Sequence, residues 1–433
     1  MAKPDKIPTR PTKGMRDFFP EDYERHRWLF ESWREVAESF GFQAYDAPIL
    51  ESEALYVRKA GDEITQQLYG FADKGNRRLA LRPEMTPSLA RMIIGRGGSL
   101  MLPARWYSIP QCFRYERTQK GRTREHYQWN MDVVGLASVA AEVELMSAQH
   151  AFLAKAGFKV EPGAAEIVFR VSNRKVLEHF LSSRGVEGEA FKAACIVVDK
   201  KDKIGPESTA TELASQGISA EVTAELLELL EVKGLDALRQ VAGDDNPGVV
   251  QLAELCALAD AAKIGSMIEI DISVVRGLSY YTGTVWELFD TAGDVPRSIA
   301  GGGRYDKLLS SLGGPDLPMV GFGFGDVVID LLLKDRGLYP EPSARVQDVV
   351  YPMGSTEFDV ATRIATKLRA AGRKVLVDYS ERRFKHVVKN AEAQGAGRLF
   401  VLGSDEVEAG VVRVRSLSAS RDETKEPLAD WVD

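Results

Sequence analysis

Cysteine is scarce in this chain: three residues in 433, Cys112, Cys195 and Cys256. They lie far apart, so no disulfide framework is available and no CxxC pair offers a zinc site. All three are expected to be ordinary free thiols. Long apolar runs are missing as well. No segment approaches the ~18 uninterrupted apolar residues needed to cross a bilayer, which excludes a membrane-spanning helix. The N-terminal MAKPDKIPTRPTKG carries basic residues with no apolar stretch behind them, so secretion is not expected and the cytoplasm is the expected compartment. Nor is positive charge in excess. With 56 Lys and Arg against 63 Asp and Glu, the net charge of −7 argues against a protein that coats nucleic acid without specificity.

What is present is the composition of a globular protein, 44% apolar and 27% charged, in a chain long enough for two or three domains. The charge is unevenly spread. Residues 345–433 balance to +1, leaving −8 for the remainder. Within that acidic body, RYERTQKGRTR at 114–124 has five basic residues against one acid, a local +4 that suits an anion.

Periodicity supplies the elements. After Pro20, acids in a first helical turn and apolar residues at Leu29, Trp33, Val36 and Phe40 predict one long amphipathic helix ending near Gly41. FQAYDAPILES predicts a short strand with Pro48 at an edge or end. β-prone runs at 79–84, 106–115 and 127–135, separated by polar stretches, predict an antiparallel sheet. Residues 170–262 turn rich in Ala, Leu, Glu and Lys, with Val222, Leu226, Leu227 and Leu230 at helical spacing, and predict a helical insertion. Strand character returns with SMIEIDISVV and YYTGTVWELF, then the glycine clusters GGGRYD and GFGFGD. A Pro/Gly-rich linker at 336–345 precedes alternating strands and helices, the pattern of a small α/β domain with a largely parallel sheet. The expected divisions are a catalytic core at 1–169 and 263–335, the insertion at 170–262, the linker, and a separate domain at 346–433.

Several residues have side chains suited to chemistry. Along the strand from Tyr127 to Val134, alternation puts Gln128, Asn130 and Asp132 on one face and Trp129, Met131 and Val133 on the other. The same rule aligns Arg82, Glu84 and Thr86, with Pro83 and Pro87 working against regular strand geometry. Together the two faces would offer carboxylates to an ammonium group; a sheet with one solvated face gives the same alternation. The basic 114–124 segment fits a hairpin loop whose arginines hold phosphate oxygens in pairs, and equally a solvated charge run. Tyr280 and Tyr281 have hydroxyls able to read one donor and one acceptor, or are packing residues with wet tips. Neither glycine cluster has the spacing of a nucleotide-binding loop.

Taken together, KGMRDFFPED with its helix and Pro48, FRYERTQKGRTREHYQ, VVRGLSYYTGTVWE and GGGRYD resemble the histidyl-tRNA synthetases, class II aminoacyl-tRNA synthetases, over nearly the whole chain. The resemblance implies an α+β catalytic domain on an antiparallel sheet with a helical insertion, followed by a C-terminal α/β anticodon-binding domain. It implies a ligase that joins L-histidine and ATP into histidyl-adenylate and transfers the histidyl group to the 3′ end of tRNA(His). Mg²⁺ would accompany the ATP, on ligands the sequence leaves unspecified, and the first motif implies a homodimer. By the same resemblance, Arg114 and Arg276 would be the catalytic cations on the α-phosphate. Glu84, Thr86, Gln128, Asp132, Tyr280 and Tyr281 would bind histidine, and Glu116, Arg122 and Arg304 would join Arg114 around ATP. Gln119 and Arg124 would meet the tRNA acceptor end.

The sequence also departs from the family pattern. The arginine that most class II enzymes carry in their third motif for the γ-phosphate is missing, its position in GFGFGDVVID falling near Val328. Ser279 stands where an acid is common, and Asp132 is one methylene shorter than the usual glutamate. ATP's tail is therefore expected to rest on another cation, with Arg122 and Arg304 as the candidates. The alternative is a catalytically inactive, histidine-binding regulatory subunit of histidine biosynthesis. Such paralogues lack the anticodon domain and erode the motifs that this chain keeps.

Overall fold

The computed structural model describes residues 7–57, 62–274, 280–293, 297–341, 345–380, 382–418 and 422–432. The chain divides into two compact units, Met1–Tyr339 and Pro340–Asp433.

The first unit is organised by one large sheet. Its strands run in the order Gln43–Ala44, Ala104–Ser108, Glu125–Val134, Met319–Gly325, Ala300–Arg304, Thr284–Asp290, Ile167–Asn173 and Ile268–Ile270, with Gln111–Phe113 paired separately to Glu125–Val134. The two outermost pairings are parallel and the rest antiparallel. Ile167–Asn173 lies inside this sheet, so the first residues of the stretch expected to be helical, 170–173, are strand. The helices from Arg174–Ser182 to Pro247–Ala261 follow it. The run expected at 79–84 ends as a strand at Leu81 and belongs to a separate three-stranded sheet with Leu50–Ser52 and Tyr69–Ala72.

The sheet has two unlike faces because its residues alternate. Trp129, Met131 and Val133 point to the core, joined by Phe322 and Phe324 from the neighbouring strand. The long helix Pro20–Ser39 supplies Leu29, Trp33 and Val36 to the same core, and Ala140–Lys155 supplies Phe152. Trp33 stacks on Trp129 with ring centroids 5.9 Å apart, and Phe152 meets Phe324 edge-on at 5.4 Å. These large buried rings make this face the main hydrophobic contributor to the unit's stability. The opposite face carries Gln128, Asn130 and Asp132, and it is open to chemistry.

The second unit has its own five-stranded sheet, in the order Val375–Val377, Asp348–Pro352, Arg398–Leu402, Val411–Ser416 and Glu423–Pro427. The first three strands are parallel, as strand–helix–strand connections require, and the last two are antiparallel. Apolar clusters cover both faces, one under Phe358–Ala370 and one under Phe384–Ala393.

Candidate active site

The polar face is built over a glycine floor. Gly301 and Gly303 on one strand, and Gly321, Gly323 and Gly325 on the next, project no side chain toward it. That space is filled by longer neighbours. A Cβ on Gly303 would lie 2.7 Å from the Tyr281 ring, one on Gly321 would collide with Asp132 and Tyr305, and one on Gly323 with Gln128. The glycines therefore serve close approach of side chains; they do not form a phosphate-wrapping loop.

One end of this face gathers acids and tyrosines. Tyr280 donates its hydroxyl to Glu84 at 3.3 Å, and Tyr305 donates to Asp132. The rings of Tyr280, Tyr281 and Tyr305 lie within 5.1–6.3 Å of one another. Both carboxylates are buried. Burial pushes the Asp132 carboxyl up to about 7, against the pull of the Tyr305 hydrogen bond. Thr86 opens the helix Thr86–Arg96, two residues from Glu84, so Glu84 and Thr86 lie beyond the end of their strand rather than along it. Arg82 is buried and donates to the carbonyls of Ala47 and Gln111, a structural role.

About 13 Å along the strand from Asp132, at the rise of an extended chain, the face opens into a cavity of about 310 Å³ beside His126 and Gln128. Arg114, Glu116, Arg122, Arg297, Ser298, Gly301, Gly323, Gly325, Val327 and Val328 also line it. The 114–124 segment is a hairpin loop, closed by the Arg114 amide donating to the Arg124 carbonyl and by a bridge between Gln119 and Arg122. Arg114 is oriented by its Nε, which donates to the Pro83 carbonyl at 2.9 Å. Arg122 pairs with the buried Glu116. Burial and the charge of Arg114 push the His126 imidazole down to about 3, so it is neutral. Gln119 stands exposed at the loop's tip, while Arg124 lies 3.9 Å over the Tyr115 ring.

One expected residue is not brought here. Arg304 points to the opposite side of the sheet, where its guanidinium pairs with the fully buried Glu142 and donates to the Leu136 and Ser138 carbonyls. Strand alternation explains this: with Gly301 and Gly303 facing the site, Arg304 faces the core side and Tyr305 returns to the site. Arg276, with Ser279, lies outside the described residues. His126, Arg297 and Tyr305 belong to the face without having been singled out in the sequence. Alternation from Gln128 and Gly303 marks His126 and Tyr305; Arg297 precedes its strand and has no periodic signal.

A buried knot supports the cavity floor. Asp326, at the start of the helix Asp326–Asp335, accepts from Arg16 and hydrogen-bonds His26, both at 2.9 Å, and accepts from the Tyr127 amide. Burial pushes its carboxyl up, but His26 and Arg16 outweigh that and hold it below its ordinary range.

Comparison with known proteins identifies the family. Residues 14–325 match the family model for histidyl-tRNA synthetase, and residues 347–432 match that for an anticodon binding domain. A histidine–tRNA ligase of Arabidopsis thaliana, named as chloroplastic/mitochondrial, is 46% identical over 96% of this chain and 84% of that protein. One from Opitutus terrae is 38% identical over 96% and 95%. Among solved structures, histidyl-tRNA synthetase from Nostoc superposes with a TM-score of 0.77 at 26% identity, covering 98% of both chains. With both halves of the sequence matched and the acid, tyrosine and arginine clusters gathered on one glycine-floored face, the chain belongs to the histidyl-tRNA synthetase family.

Proposed function

We infer that this protein is a histidine–tRNA ligase: it activates L-histidine with ATP and transfers the histidyl group to tRNA(His). The observation that carries the reading is a single sheet face with a carboxylate–tyrosine pocket at one end and an arginine-lined cavity at the other. Histidine has an ammonium group and a ring with one donor and one acceptor, which suits Glu84, Asp132, Gln128 and the tyrosine hydroxyls, with Thr86 beside them. Its carboxylate would then be directed along the strand toward the cavity and the α-phosphate of ATP.

In the first step a carboxylate oxygen bonds to the α-phosphorus, the bond to the β-phosphate oxygen breaks, and pyrophosphate leaves. Negative charge concentrates on the α-phosphate oxygens, and Arg114, fixed in plane by Pro83, stabilises it without reorganising. Arg276 is the second cation proposed on that phosphate. In the second step the ribose hydroxyl of the terminal adenosine attacks the carbonyl and AMP leaves, with Gln119 and Arg124 in the hairpin proposed to meet the acceptor end. No protein nucleophile is needed; the site works by positioning and charge.

Among the described residues there is no group of three or more metal-binding side chains. The donor set fits Mg²⁺ carried on the phosphates, which needs only one or two protein carboxylates. Glu116 lines the cavity, and Glu287, opposite Gly301 in register, shares its face. Mg²⁺ would neutralise phosphate charge there.

The homodimer and the cytoplasmic location belong to the same reading. An apolar cavity of about 250 Å³ lined by Tyr23, Phe30, Tyr45, Tyr107 and Ile109 supports a second copy packing along Pro20–Ser39, to be checked by light scattering. Among the described residues no helix is long and apolar enough to cross a membrane, and cell fractionation tests the compartment. The regulatory alternative is not favoured, since the chain matches an anticodon binding domain and retains Arg114. Histidine-dependent exchange of labelled pyrophosphate into ATP, followed by charging of tRNA(His), is the direct test; absence of exchange by the purified protein would overturn the reading.

A further inference from the structure

The charges around the 310 Å³ cavity do not balance. Among the described residues that line it, three guanidinium groups, Arg114, Arg122 and Arg297, meet one carboxylate, Glu116, which is already paired with Arg122. His126 contributes no charge, and Val327 and Val328 bring only hydrocarbon. Two further acids lie near it: Asp326 is fully buried and tied to Arg16 and His26, and Glu287 shares the sheet face opposite Gly301 without lining the cavity, so neither cancels the remaining charge within it. The cavity is thus left with an excess of positive charge carried by Arg114 and Arg297.

These two cations are held differently. Arg114 belongs to the hairpin and is clamped by Pro83. Arg297 enters from the opposite wall, three residues before the strand Ala300–Arg304, with Ser298 and Gly301 beside it. It is half-buried, and among the described residues it has no carboxylate partner. The start of the ten-residue helix Asp326–Asp335 lies at the same cavity through Val327 and Val328, adding a partial positive charge. Such a cavity suits a ligand with several negative charges, bound at both walls.

We propose that Arg297 is the cation that grips the outer phosphates of ATP, opposite Arg114 on the α-phosphate. This rests on the ligase reading and adds a residue to it. Most of the triphosphate's charge lies on the β- and γ-groups, which leave together as pyrophosphate. A planar fork on the far wall can hold two of their oxygens at once. Arg297 thereby fills the place that Val328, near the position where most class II enzymes carry a third-motif arginine, leaves without charge.

The test compares nucleotides that share the base and α-phosphate but differ in the outer groups. In the full-length protein, Arg297→Gln is expected to raise the Kd and KM for Mg-ATP by about 10- to 100-fold, the scale of one charge-assisted contact. The Kd for AMP and the KM for histidine should stay within about threefold, which also reports that the variant is folded. Arg297→Lys, which keeps the charge and loses the fork, should fall between. Unchanged ATP binding in Arg297→Gln would overturn the proposal. So would equal losses for ATP and AMP, because the side chain would then serve the base, the α-phosphate or the scaffold. Failure of the wild-type protein to exchange pyrophosphate would instead remove the ligase reading itself; normal wild-type exchange with an indifferent Arg297→Gln removes only this inference.

Discussion

At the scale of single residues, Asp132 has the property most open to measurement. Its folded carboxyl lies at about 7, above the ordinary 3.8, because burial disfavours the charged form more than Tyr305 favours it. A raised pKa means the folded state holds the proton between those values, so the group's contribution is fully present below pH ~4 and is lost as pH rises toward 7. Relative to Asp132→Asn, the ligand-free wild type should therefore lose stability across that window and change little above it. Urea titrations of both proteins at pH 4.5, 6 and 8 check this; a constant difference would show an unshifted carboxylate. Tyr305→Phe removes the bond that lowers the Asp132 pKa, so its window should extend to higher pH. Alternation and the family resemblance both mark Asp132 in the sequence, but neither marks its partner. In GGGRYD the charge of Arg304 draws attention to itself, yet alternation turns Arg304 toward Glu142 and Tyr305 toward the site.

At the scale of elements, the two glycine strands separate stability from function by face. A Cβ on Gly302 would fall 2.6 Å from the Gly321 carbonyl and into Trp286, whose indole donates to Gln149 in the core. Gly302→Ala should destabilise the fold by about 1–3 kcal/mol through overpacking. Gly303→Ala presses on the Tyr281 ring as well as on the Thr284 carbonyl and should raise the KM for histidine by at least ~10-fold, on the scale of about 1.4 kcal/mol of lost fit. Denaturant midpoints beside steady-state exchange kinetics would show whether the two effects segregate. The helix Asp326–Asp335 makes a different demand. Replacing Asp326 by Asn breaks a buried pair with Arg16 and should cost about 3–5 kcal/mol, read as a fall in the urea midpoint. Helix Pro20–Ser39, strand 125–134 and the 114–124 hairpin were legible because each carries an unbroken period or a dense charge signal. Strand Ile167–Asn173 was blurred by the helical sequence that follows it, and the turn after Leu81 by prolines that mark irregularity without its direction.

At the scale of the whole molecule, the two units have separate apolar cores, so each has what it needs to fold alone. The second unit exposes Arg382, Arg383, Lys385 and Lys389 at and beside the start of its helix Phe384–Ala393, a basic patch suited to a polyanion. The residues assigned to histidine and ATP all lie in the first unit. A chain ending at Tyr339 is therefore expected to keep histidine-dependent pyrophosphate exchange within about threefold, near the ~0.6 kcal/mol of thermal energy that separates noise from a lost contact. Charging of tRNA(His) should fall by at least ~10²-fold, because the basic patch and every contact it makes are gone. The sequence anticipates this division through the Pro/Gly-rich 336–345 stretch and the change from −8 to +1 in net charge across it. Measuring exchange and charging on the same preparation decides the matter: parallel losses would mean that the second unit supports the chemistry itself, and a loss confined to charging would assign it to holding the tRNA.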